Sequence, residues 1–113
     1  MQVVFHLSSG DVDDWRHALG NVRNLLADDT ADVDDVVLLV NGDAIRAVEA
    51  GSPVSTEVRA LGETPVRCLG CRNSVSSRDM AATDLLANVD LVPSGVGELA
   101  RLQDEGYAYL KVP

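Results

Sequence analysis

The sequence predicts an α/β fold of three layers, in which a mostly parallel five-stranded sheet lies between helices. Short apolar runs that suit buried strands alternate with segments whose apolar residues recur at helical spacing. Strands that alternate with helices favour a parallel sheet joined by right-handed crossovers. The length of 113 residues, without a repeat or a linker, suits one domain. We therefore expect a single domain over residues 1–113.

Each element follows from a local pattern. The predicted strands span Gln2–Leu7, Val36–Val40, Val66–Leu69, Val89–Val92 and Tyr107–Val112. The clearest helix follows the first strand, because its apolar residues recur every three or four positions at Trp15, Ala18, Leu19, Val22, Leu25 and Leu26. A broken helical crossover with apolar positions from Ala44 to Leu61 should join strands two and three, and a last helix should run from about Ser94 to Gln103. The segment between strands three and four carries no clear pattern.

The charge of the chain excludes one class of partner. The net charge is −9 and no cluster of basic residues is present, whereas proteins that bind nucleic acid gather Lys and Arg on one surface. Aspartate outnumbers glutamate, and Lys111 is the only lysine. A self-repelling acidic surface keeps a protein soluble in strong salt. The composition therefore predicts a halophilic source, for which we expect an archaeon.

The apolar segments argue against a membrane protein. The longest apolar run, Val36–Val40, is far shorter than the ~20 residues that a bilayer span needs. The first residues, Met1 to Phe5, lack the basic region and the cleavage site of a signal peptide. We therefore expect a cytoplasmic protein whose two cysteines are reduced.

Candidate functional residues gather where the predicted strands end. Ligands of an open parallel sheet bind beyond the carboxyl ends of its strands. The polar residues, glycines and thiol at or just after the strand ends are His6, Asn41, Gly42, Cys71, Arg72, Asn73, Ser74, Ser94 and Gly95. The sequence therefore predicts the functional site at this edge of the sheet.

Among these residues, Cys71 is the best candidate for chemistry. Its place just past strand three, beside Gly70 and Arg72, predicts an accessible thiol next to a permanent positive charge. Both features favour the thiolate, and a helix beginning near Asn73 and Ser74 would favour it further. A packed, inert cysteine is the alternative, since that is the common fate of a free cysteine.

The second cysteine allows two further hypotheses. Cys68 and Cys71 form a Cys-x-x-Cys pair, which is typical of redox dithiols and of zinc sites. A dithiol pair normally straddles the start of a helix, whereas Cys68 lies within the predicted strand and should be buried. Zinc would need two further ligands, for which only His6 and His17 are candidates. We expect neither a dithiol nor a metal.

A glycine motif opens the last predicted helix. Gly95-x-Gly97-x-x-Ala100 matches the dinucleotide fingerprint, but the acidic residue expected ~20 positions later does not follow before Pro113. The preferred interpretation is that Ser94 caps the helix and the glycines allow close packing. Such a helix start could still bind a small anion.

The sequence resembles the DsrE/DsrF-like family of small sulfur-relay proteins, nearly from end to end. The residues that carry the resemblance are Val3 to Leu7, Asn21 to Leu26, Val40 to Gly42, Cys71-x-Asn73-Ser74, Val92 to Val96, Leu99 and Gln103 to Tyr109. In the family pattern the motif that begins at Cys71 ends more often in Thr than in Ser, and Cys68 has no counterpart.

The resemblance implies a function and a set of partners. A cysteine of characterised relay members carries sulfane sulfur as a persulfide, and by motif match this role falls on Cys71. The implied partners are a sulfur donor and a sulfur acceptor protein, without a cofactor, and the implied assembly is a homotrimer or hexamer. The alternative is a non-enzymatic module that binds a small anion or a nucleotide between Asn41, Asn73 and the helix start at Ser94 and Gly95.

Overall fold

The computed structural model describes residues 1–113 and contains one sheet of five strands. In chain order the strands are β1 (Gln2–Leu7), β2 (Asp35–Val40), β3 (Val66–Cys71), β4 (Val89–Val92) and β5 (Ala108–Lys111). Their order across the sheet is β4-β3-β2-β1-β5, and all neighbouring pairs are parallel. The predicted α/β class is confirmed, and the sheet is parallel throughout rather than mostly parallel.

Four α-helices connect the strands. They are α1 (Val12–Ala27), α2 (Ser55–Ala60), α3 (Arg72–Ser77) and α4 (Gly95–Asp104). Short 3₁₀ segments at Gly42–Val48, Leu61–Glu63 and Ala82–Asp84 complete the crossovers. The first and last helices are confirmed, and α3 lies in the segment between β3 and β4 for which no clear pattern was found. No helix is both long enough and apolar enough to cross a membrane.

The helix α1 shows how the local sequence sets an element's bounds. The Asp11 side chain accepts a hydrogen bond from the backbone N–H of Asp14 and so caps the first turn. Asp13 and Asp14 also place negative charge at the positive end of the helix dipole. The predicted apolar face packs on the sheet through its buried residues Trp15, Ala18, Leu19 and Val22.

The crossovers explain why the two faces of the sheet are covered unequally. The chain passes from β1 through β2 and β3 to β4 in one direction, and crossovers of the same hand place α1, α2 and α3 on the same face. From β4 it returns past three strands to β5, so α4 lies on the opposite face. The first face carries a core of 22 buried residues. The second carries a smaller core of Val4, Val37, Leu39, Leu69, Leu99, Leu102 and Tyr107.

A polar cluster fastens the segment before β5 to the amino-terminal end of the sheet. The Tyr107 hydroxyl donates to the Asp35 carboxylate, and Arg67 donates to the same carboxylate at 2.9 Å and to the Tyr107 oxygen at 3.2 Å. Burial by itself raises the pKa of Asp35, but the hydrogen bonds from Arg67 and Tyr107 hold its pKa below the ordinary 3.8. The cluster ties together residues from β2, β3 and the segment before β5.

Replacing Tyr107 by Phe is expected to lower the free energy of unfolding by about 1–2 kcal/mol, because a partly buried hydrogen bond to a charged group is lost. Because folding lowers the pKa of Asp35, its ionised carboxylate stabilises the fold at pH values above its ordinary pKa of 3.8. This contribution should disappear as the pH falls through the lowered pKa. Chemical denaturation between about pH 7 and pH 3 measures both effects.

Tyr109→Phe is the matched control, because Tyr109 is exposed on β5 and water can replace its bond. Its effect should stay below about 0.5 kcal/mol. Equal losses in the two variants would contradict the role assigned to the cluster.

Candidate functional site

The site lies where the crossovers leave the sheet in opposite directions. After β3 the chain turns to the face that carries α3, and after the neighbouring β4 it turns to the face that carries α4. Such a switch point opens a crevice beyond the carboxyl ends of two adjacent strands. Cys71 ends β3, and Ser94 and Gly95 follow β4. The topology therefore brings these residues together at the switch point.

The position of Cys71 differs from the one that the sequence predicted. Cys71 is the last residue of β3 and the N-cap of α3, and only 5% of it is exposed. The prediction of an accessible thiol just past the strand was wrong, because β3 continues two residues beyond Leu69 and α3 begins at once. The sulfur therefore sits in a covered position that only a small or well-fitted reactant can enter.

Hydrogen-bond donors surround the Cys71 sulfur. The backbone N–H of Gly95, at the start of α4, donates to it at 3.3 Å. Burial by itself raises the pKa of the Cys71 thiol, but hydrogen bonds from the Ser74 hydroxyl and from the Gly95 backbone outweigh it. The backbone N–H groups of Ser74 and Asn73, in the first turn of α3, add to this effect. The pKa of Cys71 is thus lowered, which raises the thiolate fraction at neutral pH.

Arg72 does not have the role that its neighbouring position suggested. Its side chain is exposed, and the lowered pKa of Cys71 comes from hydrogen bonds rather than from the guanidinium charge. The side chain of Asn73 is exposed as well, so this residue acts on the sulfur through its backbone alone. Successive residues at the beginning of a helix direct their side chains differently. The positions next to Cys71 in the sequence therefore do not bring these side chains to its sulfur.

Gly95 allows α4 to approach the sulfur. A Cβ atom at this position would lie 3.2 Å from Cβ of Asn41, 3.3 Å from Cβ of Cys71 and 3.4 Å from Leu39. These separations are at or below the tight end of normal packing, so a side chain would push the start of α4 outward. The absence of a side chain is therefore what brings the Gly95 N–H to the sulfur.

Ser74 links the thiol to the loop after β2. Its hydroxyl oxygen accepts a hydrogen bond of 2.8 Å from the backbone N–H of Gly42, which has a positive φ of 57°. The residue is buried, and its hydroxyl is the hydrogen-bonding group that lowers the pKa of Cys71 most. Arg78, which the sequence analysis missed, donates to the Ser74 carbonyl at 3.3 Å and to the Asp43 carboxylate at 3.0 Å. Ser74 is therefore held from both sides.

A row of polar side chains extends from the thiol across the sheet. His6 on β1 contacts the Asn41 carbonyl oxygen through Nε2 at 2.8 Å and the Tyr109 hydroxyl through Nδ1 at 2.7 Å. Burial lowers the pKa of His6, and the charge of Lys111 lowers it further, whereas the bond to Asn41 opposes both. The net effect lowers the pKa, so the ring is neutral at pH 7. Tyr109 was not predicted, because the pairing of β5 with β1 is not visible in the sequence.

The two cysteines lie on opposite faces of the sheet. Cys68 belongs to the larger core, only 2% of it is exposed, and burial raises the pKa of its thiol to about 12. Cys71 contacts α4 on the other face. Residues three apart in a strand point in opposite directions. The prediction that Cys68 is a buried core thiol is confirmed.

The start of α4 is capped as predicted. The Ser94 hydroxyl oxygen accepts from the Gly97 N–H at 3.2 Å, and the Gly95 N–H already donates to the Cys71 sulfur. Two donors of this helix terminus therefore have partners within the chain. None of the three surface cavities is lined by Cys71, Asn41 or Gly95.

Fold and site together define a class: small α/β proteins with a thiol at the switch point of a parallel sheet. The model of the DsrE/DsrF-like family matches residues 1–112. The chain belongs to the DsrE/DsrF-like family, as the sequence motifs predicted.

Solved structures that are similar to this chain include the following two. A protein of unknown function from Methanobacterium thermoautotrophicum is 34% identical with a TM-score of 0.91, and the match covers 97% of each chain. The ychN protein from E. coli is 17% identical with a TM-score of 0.81, over 98% of this chain and 99% of that one, and shows the shared fold. No curated protein matches the chain.

Gly95→Ala is expected to raise the pKa of Cys71 by about one unit, because displacing α4 removes a hydrogen bond to a charged sulfur. The pH dependence of thiolate absorbance measures it, and Cys68 does not interfere because its pKa is about 12. Gly97→Ala is the control, since its Cβ would make only ordinary contacts with Ser94. An unchanged pKa in Gly95→Ala would contradict the close-approach argument.

Ser74→Ala should also raise the pKa of Cys71, and it should lower the free energy of unfolding by about 1–3 kcal/mol because the N–H of Gly42 loses its partner. Ser74→Thr keeps the hydroxyl and should retain a lowered pKa. Thiol titration and denaturant unfolding of both variants provide the comparison. A wild-type titration curve for Ser74→Ala would exclude the hydroxyl as a donor to the sulfur.

Proposed function

We propose that this protein is a sulfur carrier that holds sulfane sulfur as a persulfide on Cys71. The observation that carries the proposal is a thiol of lowered pKa at the switch point, with the first N–H of α4 directed at its sulfur. Membership in a family associated with sulfur relay supports the same chemistry. The proposed partners are a sulfur donor and a sulfur acceptor protein.

The proposed loading step needs only a thiolate and a persulfide donor. The Cys71 thiolate attacks the outer sulfur of the donor R–S–SH, and its electron pair forms the new S–S bond. The old S–S bond breaks, and its electrons leave with the donor as R–S⁻. The outer sulfur keeps its proton or releases it to water. Delivery repeats the exchange with the acceptor's thiolate as the nucleophile, so no external oxidant is required.

The donors around Cys71 suit both directions of this exchange. They stabilise the thiolate before loading and again when it leaves during delivery. A lowered pKa makes Cys71 a better leaving group, which favours delivery to the acceptor. The surroundings therefore favour a carrier, which must release its cargo, over a cysteine that retains it.

Access to the buried sulfur suggests how a partner approaches. Only 5% of Cys71 is exposed, so the donor's persulfide must enter along the carboxyl edge of the sheet. Val96, next to Gly95 at the start of α4, is an apolar side chain that is 69% exposed. This side chain would be covered when a partner protein docks over the edge. The homotrimer or hexamer implied by the family stays a prediction.

The alternative function, a module that binds a small anion or a nucleotide, has less support. The Gly95 and Gly97 N–H groups already have partners within the chain. The Asn73 side chain is exposed and makes no bond to Asn41 or Ser94. Neither Asn41 nor the start of α4 lines a cavity. A ligand there would have to displace existing hydrogen bonds.

The proposal predicts that incubation with glutathione persulfide adds one sulfur atom to the wild-type protein, as measured by intact mass. Cys71→Ser should not gain the sulfur. Cys68→Ala is the matched control, because it keeps Cys71 and replaces a buried thiol by a small apolar side chain. It should load like the wild type.

An adduct that persists in Cys71→Ser would overturn the assignment of the carrier residue. Failure of the wild-type protein to load would overturn the proposed function. In that case a thermal-shift screen with phosphate and nucleotides would test the binding module, which requires equal stabilisation of wild type and Cys71→Ser.

A further inference from the structure

Asn41, in the polar row beside Cys71, does not use its side chain to cap the segment that follows it. Asn41 is the N-cap residue of the 3₁₀ segment Gly42–Val48, where an asparagine side chain commonly accepts a hydrogen bond from the segment's own backbone. Here it makes no capping bond. Its carbonyl oxygen is instead engaged by His6 Nε2 at 2.8 Å. Asn41 thus forms a hydrogen bond to His6 on β1 in place of a capping bond within its own segment.

The tautomer of His6 follows from its two partners. Because the Asn41 Oδ1 atom can only accept, Nε2 of a neutral ring must carry the proton. Nδ1 then accepts from the Tyr109 hydroxyl at 2.7 Å. Lys111 on β5 is the charged group that faces the ring, and it disfavours a second proton. His6 is therefore a fixed donor toward Asn41.

This arrangement leaves the other end of the Asn41 amide free. The Nδ2 atom makes no hydrogen bond within the chain, although it carries two N–H donors. Asn41 directly follows β2, whose residues Leu39 and Val40 pair with Leu69 and Gly70 of β3, so it lies beside Cys71. A Cβ atom at Gly95 would touch Cβ of Asn41 and of Cys71 alike, at 3.2 and 3.3 Å. The Asn41 and Cys71 side chains therefore leave the backbone next to each other, beside the start of α4.

We propose that His6 is a positioning residue that fixes the Asn41 amide so that its free N–H donors bind the outer sulfur of a persulfide on Cys71. This inference rests on the proposed carrier function. The resting thiolate already has Gly95 and Ser74 as donors, whereas the outer sulfur lies about 2 Å farther out and needs donors of its own. Arg72 and Asn73 also have unused donors, but their side chains are exposed, whereas Asn41 is half-buried and lies beside Cys71 at the start of α4.

The same donors assist the bond exchange. During loading, the Cys71 thiolate forms the new S–S bond to the donor's outer sulfur, and the donor leaves as its thiolate. The proton on the transferred sulfur passes to water when the persulfide ionises, and the Asn41 N–H groups stabilise the resulting anion. The bond between the two sulfurs is unaffected until an acceptor thiolate attacks the outer one.

The test compares Asn41→Leu, His6→Leu and His6→Gln with the wild-type protein. Each is loaded with glutathione persulfide, desalted and checked by intact mass, and the persulfide is titrated by its absorbance. Asn41→Leu and His6→Leu should raise the pKa of the persulfide by about one unit, the tenfold effect of one hydrogen bond to a charged sulfur. His6→Gln supplies an amide N–H to Asn41 and should stay within about 0.3 units of wild type.

A second titration separates this role from a structural one. The pKa of the unloaded Cys71 thiol should be unchanged in all three variants, because its donors Gly95 and Ser74 are retained. A change in the unloaded thiol would indicate a disturbed fold and count against a specific role for His6. If Asn41→Leu does not fold, the His6→Leu and His6→Gln pair decides alone.

The possible failures are distinguishable. A wild-type protein that does not load on Cys71 refutes the carrier function itself. A wild-type protein that loads, with all variants titrating alike, refutes only the role of His6 and Asn41. A raised persulfide pKa in His6→Gln as large as in His6→Leu shows that the donor to Asn41 is not what matters.

Discussion

The approach of α4 to the end of β3 is the constraint on which the site depends. This contact exists because the crossover after β4 returns over the opposite face of the sheet, so that the first turn of α4 meets the last residue of β3. It is close because position 95 has no side chain. Topology brings the helix to the right strand, and a single glycine sets the distance. Neither alone would place a backbone donor on the Cys71 sulfur.

Much of the fold could be predicted because its signals are local. The apolar runs of β1 and β2 and the helical spacing of α1 depend only on neighbouring residues, and Ser94 marks the start of α4 by its own capping chemistry. Strand order is not local. The pairing of β5 with β1 joins residues about one hundred positions apart, which is why Tyr109 was not predicted as a partner of His6.

The candidate site could be predicted as a set of residues but not as a geometry. The expectation that ligands bind beyond the carboxyl ends of the strands correctly selected a set of residues that lie close together. Each of them contacts at least one other member of the set or a residue next to one: Cys71, Ser74, Asn41, Gly95 and His6. It could not tell which donors reach the sulfur. Arg72 was favoured for its charge, yet the donors are backbone N–H groups and a hydroxyl, whose direction is fixed only once α3 and α4 are placed. Burial of Cys71 likewise depends on α4, which lies more than twenty residues away in the chain.

The separation of the two cysteines by the sheet has a consequence for how a bound sulfur would be kept. In a dithiol protein, a neighbouring thiol can expel the outer sulfur as sulfide and close a disulfide. Here Cys68 lies on the far side of the backbone with a pKa of about 12, so it has neither the direction nor the charge for that reaction. A persulfide on Cys71 would therefore not react with the second cysteine of the same chain. The lifetime of the persulfide would then depend on the next molecule that reaches the carboxyl edge of the sheet. The outer sulfur would not be lost by reaction with Cys68.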